Sequence, residues 1–248
     1  MKLDRVIAVR NNKTIFRDGD ACIKVFNDDY SKAAVIYEAL NQARAEETGL
    51  NVPHVREIIT VDGKWAIVSE YIKGKTLEQL MKEDGENKDK YIEMLAELQI
   101  QVNSKSNPDF VRLKDKMNKE ICQSELDATI RFDFHNRLED MPKHSNVCHG
   151  DFIPSNIIVT DEGKAYIVDW SNASQGNASA DAAMTYLYFL MRSDREGAKK
   201  YLDAFCEKSD TAAKYVYKWM PLVAASRSVK GSLKERDFLL SLVNNSDY

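Results

Sequence analysis

Over the first seventy residues, apolar and polar positions fall into short β-rich runs around a single helical stretch. The runs are Arg5 to Val9, Thr14 to Phe16 and Ala21 to Phe26, with Asp18-Gly19-Asp20 as a turn before the third. Ser31 to Thr48 carries Ala34, Val35, Leu40 and Ala43 at helical intervals, opened by Ser31 as a cap and closed by Gly49, which predicts one amphipathic helix. Val55 to Val61 and Trp65 to Ser69 flank Asp62-Gly63, a hairpin signal because both positions tolerate positive φ. Together these signals predict a meander of about five strands around that helix.

The texture changes after Glu70-Tyr71-Ile72-Lys73-Gly74. Helical spacing dominates at Leu77 to Met81, Tyr91 to Val102, Val111 to Cys122 and Glu125 to Leu138, and resumes from Ser179. A β island at Asn156 to Val159 and Ala165 to Val168, joined by Asp161-Glu162-Gly163, interrupts it. The expected fold class is α+β in two lobes: residues 1–70 as a small β-sheet lobe with one helix, and residues 71–248 as a larger, mainly helical lobe. The charge run from Lys82 to Lys90 reads as a solvated loop.

Composition narrows the classes. A chain of 248 residues hides roughly 70 to 75% of its unfolded surface, so a sizeable core is expected. With 44% apolar and 30% charged residues, disordered, collagenous and membrane compositions are excluded. The net charge of −4 and the lack of a strongly basic run argue against nucleic acid as a partner. No apolar run suits a signal peptide or a bilayer span, so no membrane partner is expected. Cys22, Cys122, Cys148 and Cys206 stand far apart without CxxC spacing, which points to a reduced, cytoplasmic setting.

The most informative stretch is His149-Gly150-Asp151-Phe152-Ile153-Pro154-Ser155-Asn156, followed thirteen residues on by Asp169 in Ile167-Val168-Asp169-Trp170. Phosphoryl transfer needs such groups: one carboxylate near the attacking hydroxyl, and an amide oxygen and a second carboxylate for the magnesium ions that neutralise a triphosphate. The HxDxxxxN spacing puts the first carboxylate and the amide at the two ends of one loop, and the hairpin after it returns Asp169 beside Asn156. Taken singly, Asp151 and Asn156 would also suit an ordinary turn, and Asp169 the end of a strand.

In HGDFIPSN and IVDW the chain resembles the aminoglycoside phosphotransferase and choline kinase-like group, small-molecule kinases with a protein-kinase-like bilobal fold. The resemblance spans nearly the whole chain. It implies Asp151 as catalytic base, Asn156 and Asp169 as Mg2+ ligands, and His149 as a brace for the loop. It also implies a phosphotransferase that moves the γ-phosphate of ATP or GTP to a hydroxyl of a small molecule, an amino alcohol, a sugar or an aminoglycoside-like compound. A catalytically silent nucleotide-binding or regulatory protein of the same shape is the other reading.

Lys24 stands alone in the apolar strand Ala21-Cys22-Ile23-Lys24-Val25-Phe26, where an ammonium without a partner would be costly to bury. The resemblance makes it the lysine on the α and β phosphates and Glu38 the carboxylate that orients it, with Glu46 and Glu47 as competitors. It places the nucleotide base against backbone groups of Glu70 and Ile72. Where relatives carry glycines over the phosphates, this chain has Val9-Arg10-Asn11-Asn12-Lys13-Thr14, in which Asn11-Asn12 suits a hairpin tip and brings Lys13 or Thr14 near phosphate. Ile153 and Ser155 replace the His and Gly of many relatives. Asp181 resembles a family aspartate at a helix start and reads as a cap and loop brace.

Two features bear on the acceptor. Trp170-Ser171-Asn172 follows Asp169 where protein-substrate kinases have Phe-Gly, and no Ala-Pro-Glu anchor appears, so a protein acceptor is disfavoured. From Ser171 onward there are nine acidic and eleven basic side chains, not the acidic excess that a polycationic aminoglycoside favours. Trp170, Tyr186, Tyr188, Tyr217 and Trp219 suit either an aromatic cage or, at helical spacing, the core.

Overall fold

The computed structural model describes residues 5–10 and 12–244. The chain forms two compact units: one holds the described residues up to Glu83 together with Pro154–Asn172, and the other holds Asp84–Ile153 and the residues from Ala173 on. A single boundary after residue 70 does not describe this division. The β island and the start of the helical stretch belong with the N-terminal sheet, because the island pairs with a strand that lies just beyond that boundary.

In the first unit, β1 (Arg5–Arg10), β2 (Lys13–Asp18), β3 (Ala21–Phe26), β4 (Val55–Val61) and β5 (Lys64–Glu70) form an antiparallel sheet in the order β1-β2-β3-β5-β4. The five expected strands are all present. Asp62 and Gly63 both have positive φ, 50° and 80°, which is the backbone that lets a two-residue turn join β4 to β5. A second sheet, β6 (Lys75–Thr76), β8 (Ile157–Val159) and β9 (Ala165–Ile167), builds the island, and α2 (Leu77–Glu83) follows β6. Gly74 makes the β6–β8 contact possible, since a Cβ there would stand 2.3 Å from the carbonyl oxygen of Val159.

Helix α1 (Lys32–Glu47) starts where Ser31 Oγ accepts from the amide of Ala34. Its buried face differs from the one its spacing predicts. Leu40 is 43% exposed, and Ile36 and Tyr37 are exposed beside it, whereas Glu38, Asn41 and Gln42 are buried with Val35 and Ala39. The polar side is turned inward because it has partners there; Gln42 Nε2, for example, donates to the carbonyl of Pro53 at 2.7 Å.

The second unit is mainly helical: α3 (Lys88–Asn103), α4 (Leu113–Gln123), α5 (Ala128–Asp140), α6 (Ala178–Met191), α7 (Arg195–Ser209), α8 (Ala213–Arg227) and α9 (Leu233–Asn244). Helix α3 packs on α7, and α6 packs on α7 and α8. Phe134, Leu138, Leu187, Phe189, Tyr201, Phe205 and Trp219 are among the core residues. Two three-residue strands that the sequence pattern does not reveal, β7 (Asn146–Cys148) and β10 (Ser174–Gly176), pair antiparallel. Among the described residues, no helix is long and apolar enough to cross a membrane.

Candidate active site

Strand alternation decides which side chains of β3 meet α1. Ile23 and Val25 pack with Ala66 and Val68 on one face of the sheet, and Phe26 packs with Val35 and Ala39 of α1 on the other. With a period of two, Lys24 shares the Phe26 face. The register that pairs Lys13 with Phe26 and Ile15 with Lys24 puts Lys13 there as well, its Nζ 5.9 Å from the Phe26 ring centre. Two ammonium groups therefore look towards α1, which presents Glu38, only 1% exposed.

Lys24 Nζ donates to Glu38 Oε1 at 2.5 Å and lies 3.7 Å from Asp169 Oδ1. Lys13 Nζ donates to both oxygens of Asp169 at 3.0 Å and stands 3.5 Å from Glu38 Oε1. Burial works against the charge on Lys24. Asp169 and Glu38 outweigh it and hold the ammonium well above the ordinary lysine range. The competing acids are placed elsewhere: Glu46 contacts His54 Nδ1 at 2.7 Å, and Glu47 is exposed.

Asp169 reaches this cluster from a left-handed backbone, φ 69°, a conformation that costs a residue with a Cβ about 1 kcal/mol or more. Anchors on both sides hold it there. The Val168 amide donates to the carbonyl of Asn156 at 2.9 Å, and the indole N–H of the fully buried Trp170 donates to the carbonyl of Ile167 at 3.0 Å. The first of these bonds brings Asn156 and Asp169 together at the base of the β8–β9 hairpin. Ser171 Oγ also donates to Asp169 Oδ1, at 3.2 Å.

The donor set fits magnesium. A carboxylate and an amide oxygen are hard ligands, and Mg2+ is usually held by one or two carboxylates, with substrate phosphates and waters completing the shell. Among the described residues, no group of three or more His, Cys, Asp or Glu stands together as a metal site of its own. Glu38 Oε2 is buried without a hydrogen-bond partner, so the cluster retains acceptor capacity.

In the second unit, the loop carrying Asp151 leaves β7 and is pinned from below by Asp181, which is 3% exposed. The Asp181 carboxylate accepts from the backbone amides of Gly150 at 2.7 Å and His149 at 3.1 Å, and from Asn103 Nδ2 at 3.1 Å. The Asp151 amide donates to His149 Nδ1 at 3.2 Å, so that nitrogen is an acceptor and the buried imidazole braces the loop. Asp181 is the brace its position suggested but not the cap. That role falls to Asn177, whose Oδ1 accepts from the amide of Ser179, because Asp181 already sits inside the first turn of α6.

The carboxylate of Asp151 meets Arg227 at the end of α8, with Nη2 2.8 Å from Oδ1; Arg227 Nη1 also reaches the carbonyl of Gly150 at 3.4 Å. No sequence signal marks this arginine, which closes an apolar helix in Ser226-Arg227-Ser228. Beneath the loop a cavity of about 40 Å³ is lined by Lys116, Glu120, Gly150, Asp181 and Ser226. Burial pushes the Lys116 ammonium down to about 8, and Lys230 and Arg227 add to that against the pull of Glu120.

The remaining expected site residues are placed as follows. Thr14 lies on β2 opposite Val25, Glu70 ends β5 opposite Ala21, and Ile72 is buried just beyond it. Asn11 lies outside the described residues. Lys13 is not at a solvated loop tip: it opens β2, 6% exposed, and its ammonium is on Asp169. Trp170 and Trp219 are both buried in the core. Tyr186 meets the half-exposed Tyr217 edge-on at 6.0 Å.

The profile of the phosphotransferase enzyme family matches residues 6–217. The chain belongs to that family. As a phosphotransferase of this kind it is a small-molecule kinase. Three solved structures illustrate its fold. A choline/ethanolamine kinase family protein from Mesorhizobium loti superposes with a TM-score of 0.65 at 14% identity, over 98% of this chain and 87% of its own. A thermostable variant of the aminoglycoside phosphotransferase APH(4)-Ia, in complex with ADP and hygromycin B, gives 0.72 at 14% identity over 98% and 94%. LicA in complex with AMP gives 0.67 at 16% identity over 98% and 91%. Among curated protein sequences there is no significant match.

Proposed function

We propose that this phosphotransferase moves the γ-phosphate of ATP to a hydroxyl of a small molecule, with Asp151 as the base. The observation that carries this reading is the buried cluster of Lys13, Lys24, Glu38 and Asp169, in which residues from two strands, a helix and a distant hairpin converge. A lysine oriented by a helical glutamate, beside an aspartate and an asparagine, is what a metal-bound triphosphate needs. The nucleotides in related structures are adenine nucleotides, which supports ATP over GTP as donor.

Lys24 takes the α and β phosphates while Glu38 keeps its ammonium in place. Lys13 leaves Asp169 for the phosphates and supplies positive charge where relatives use glycine amides. Asn156 and Asp169 would hold Mg2+, which would supply charge neutralisation for the phosphates. Glu70 and Ile72 offer backbone groups to the base, whereas Thr14, alternating with Lys13 along β2 and paired with Val25, faces the other side of the sheet. Asp151, five residues before Asn156 on the same loop, orients the acceptor hydroxyl and accepts its proton as the oxygen attacks phosphorus. Positioning and charge stabilisation provide most of the acceleration.

Arg227 holds the Asp151 carboxylate in one direction, a positioning role. The lack of an acidic excess after Ser171 does not favour a polycationic acceptor over an amino alcohol or a sugar. A panel of amino alcohols, homoserine, nucleosides and sugars, read by ATP consumption, tests the class of acceptor. With a substrate in hand, Asp151→Ala is expected to cut turnover by about a thousandfold or more while ATP still raises the melting temperature. An active Asp151→Ala enzyme would remove the base from this assignment.

A further inference from the structure

In the second unit, on a surface formed by α4 and α5, three side chains stand in an order that phosphoryl transfer does not use. Cys122, exposed at the end of α4, has its Sγ 3.4 Å from Nε2 of His135 on α5. The other ring nitrogen, Nδ1, lies 2.6 Å from Oδ1 of Asn118, one turn back along α4. An amide oxygen can only accept, so Nδ1 carries the ring hydrogen and Nε2 turns its lone pair towards the thiol. A nucleophile, a base in contact with it and a third group that fixes the tautomer of the base are the elements of an activated thiol. The spacing supports the arrangement: positions 118 and 122 are four apart, so both side chains lie on the same face of α4 and meet the same imidazole.

We propose that Cys122 is a covalent modification site for small disulfides, with His135 as its base and Asn118 as the residue that positions the base. In the reaction the Cys122 sulfur attacks one sulfur of the disulfide as His135 Nε2 takes the thiol proton. A bond forms between Sγ and that sulfur, and the disulfide's own S–S bond breaks. The second sulfur departs as a thiolate with the electron pair and takes up the proton. Cys122 is oxidised to a mixed disulfide, and the leaving half of the reagent is reduced.

The other three thiols lack this arrangement. Cys148 is buried, and burial pushes its thiol well up. Burial also pushes Cys22 and Cys206 up. Arg131 of α5 lies beside the same turn, its Nη1 reaching the Cys122 carbonyl at 3.5 Å and the Ser124 carbonyl at 3.4 Å. Cys122 itself is exposed.

The full chain treated with 4,4′-dithiodipyridine at pH 7, with peptide mass mapping, reads the site and the rate together. The adduct is expected first on Cys122, and Cys122→Ser is expected to abolish the fast phase. His135→Gln should slow the Cys122 reaction by about tenfold or more. Asn118→Ala should slow it as well, and Asn118→Asp, which keeps an oxygen acceptor for Nδ1, should restore it. A thiol that is merely exposed would react at the same rate in the parent chain and in the His135 and Asn118 variants, and that result would overturn the proposal, as would a first adduct on another cysteine. If His135→Gln lowers the melting temperature, the Asn118 pair decides alone: equal rates for Ala and Asp would reject the assignment.

Discussion

The two groups of site residues are built in opposite ways. In the first unit, Lys13, Lys24, Glu38 and Asp169 hold one another through charge, side chain to side chain, across a buried patch. In the second, the loop of Asp151 is held through its backbone: Asp181 binds two main-chain amides and His149 a third, while Arg227 meets the Asp151 carboxylate. On the proposed reading, a phosphate site would tolerate exchange of ionic partners, because an incoming triphosphate would replace carboxylates as the counter-charge to the lysines. A base at Asp151 would have to stay in place, and main-chain hydrogen bonds fix the loop that carries it with few charges.

The comparison is sharpest where a partner is removed. Glu38→Gln is expected to destabilise the protein by about 3–5 kcal/mol, because two buried ammonium groups are then left with Asp169 alone. Chemical denaturation measures it, and ATP should recover part of the loss by supplying charge to the same lysines. A loss under about 1 kcal/mol would show the cluster to be solvated.

Asp181→Ala is expected to cost about 2–4 kcal/mol, since it strands the His149 and Gly150 amides. Here ATP should give the same melting-temperature rise as in the parent chain, in contrast to Glu38→Gln. A lost nucleotide response in Asp181→Ala would erase the distinction between the two constructions.

Lys116 offers a smaller test through pH. Its folded value of about 8 lies below the ordinary 10.5, so between these values the unfolded chain binds the extra proton and stability rises with pH. Compared with Lys116→Met, the parent chain is expected to gain about 1–2 kcal/mol from pH 8 to pH 10.5, less than the full shift because the side chain is only partly buried. Parallel pH profiles would place Lys116 in water. The smallest effect concerns redundancy: Lys13→Met and Lys24→Met, each leaving one ammonium with both acids, should together cost about 1 kcal/mol more than their sum. Strict additivity would mean that the two lysines do not share their carboxylates.

Much of this was legible along the chain. Period-two runs with Asp62-Gly63 between two of them gave the five strands, and a lone lysine among apolar residues required the acid that the structure supplies at Glu38. The HxDxxxxN loop and the following Asp169 marked the candidate chemistry, and the β8–β9 hairpin does bring Asn156 and Asp169 together. What periodicity misread was α1, where Leu40 was expected inside and Glu38, Asn41 and Gln42 lie there instead. Hydrophobic spacing cannot anticipate a helix that buries polar groups against partners on other elements.

The sequence alone determined residue types, local elements and the order of reactive groups, because propensity, capping and alternation act over a few neighbours. Tertiary structure alone decided that Lys13 turns inward onto Asp169, that Arg227 meets Asp151, that Asn177 rather than Asp181 caps α6, and that β7 finds β10. Each of these contacts joins groups far apart in the chain or chooses between nearby ones by packing. Their energies depend on burial and distance, quantities that exist only once the chain has folded.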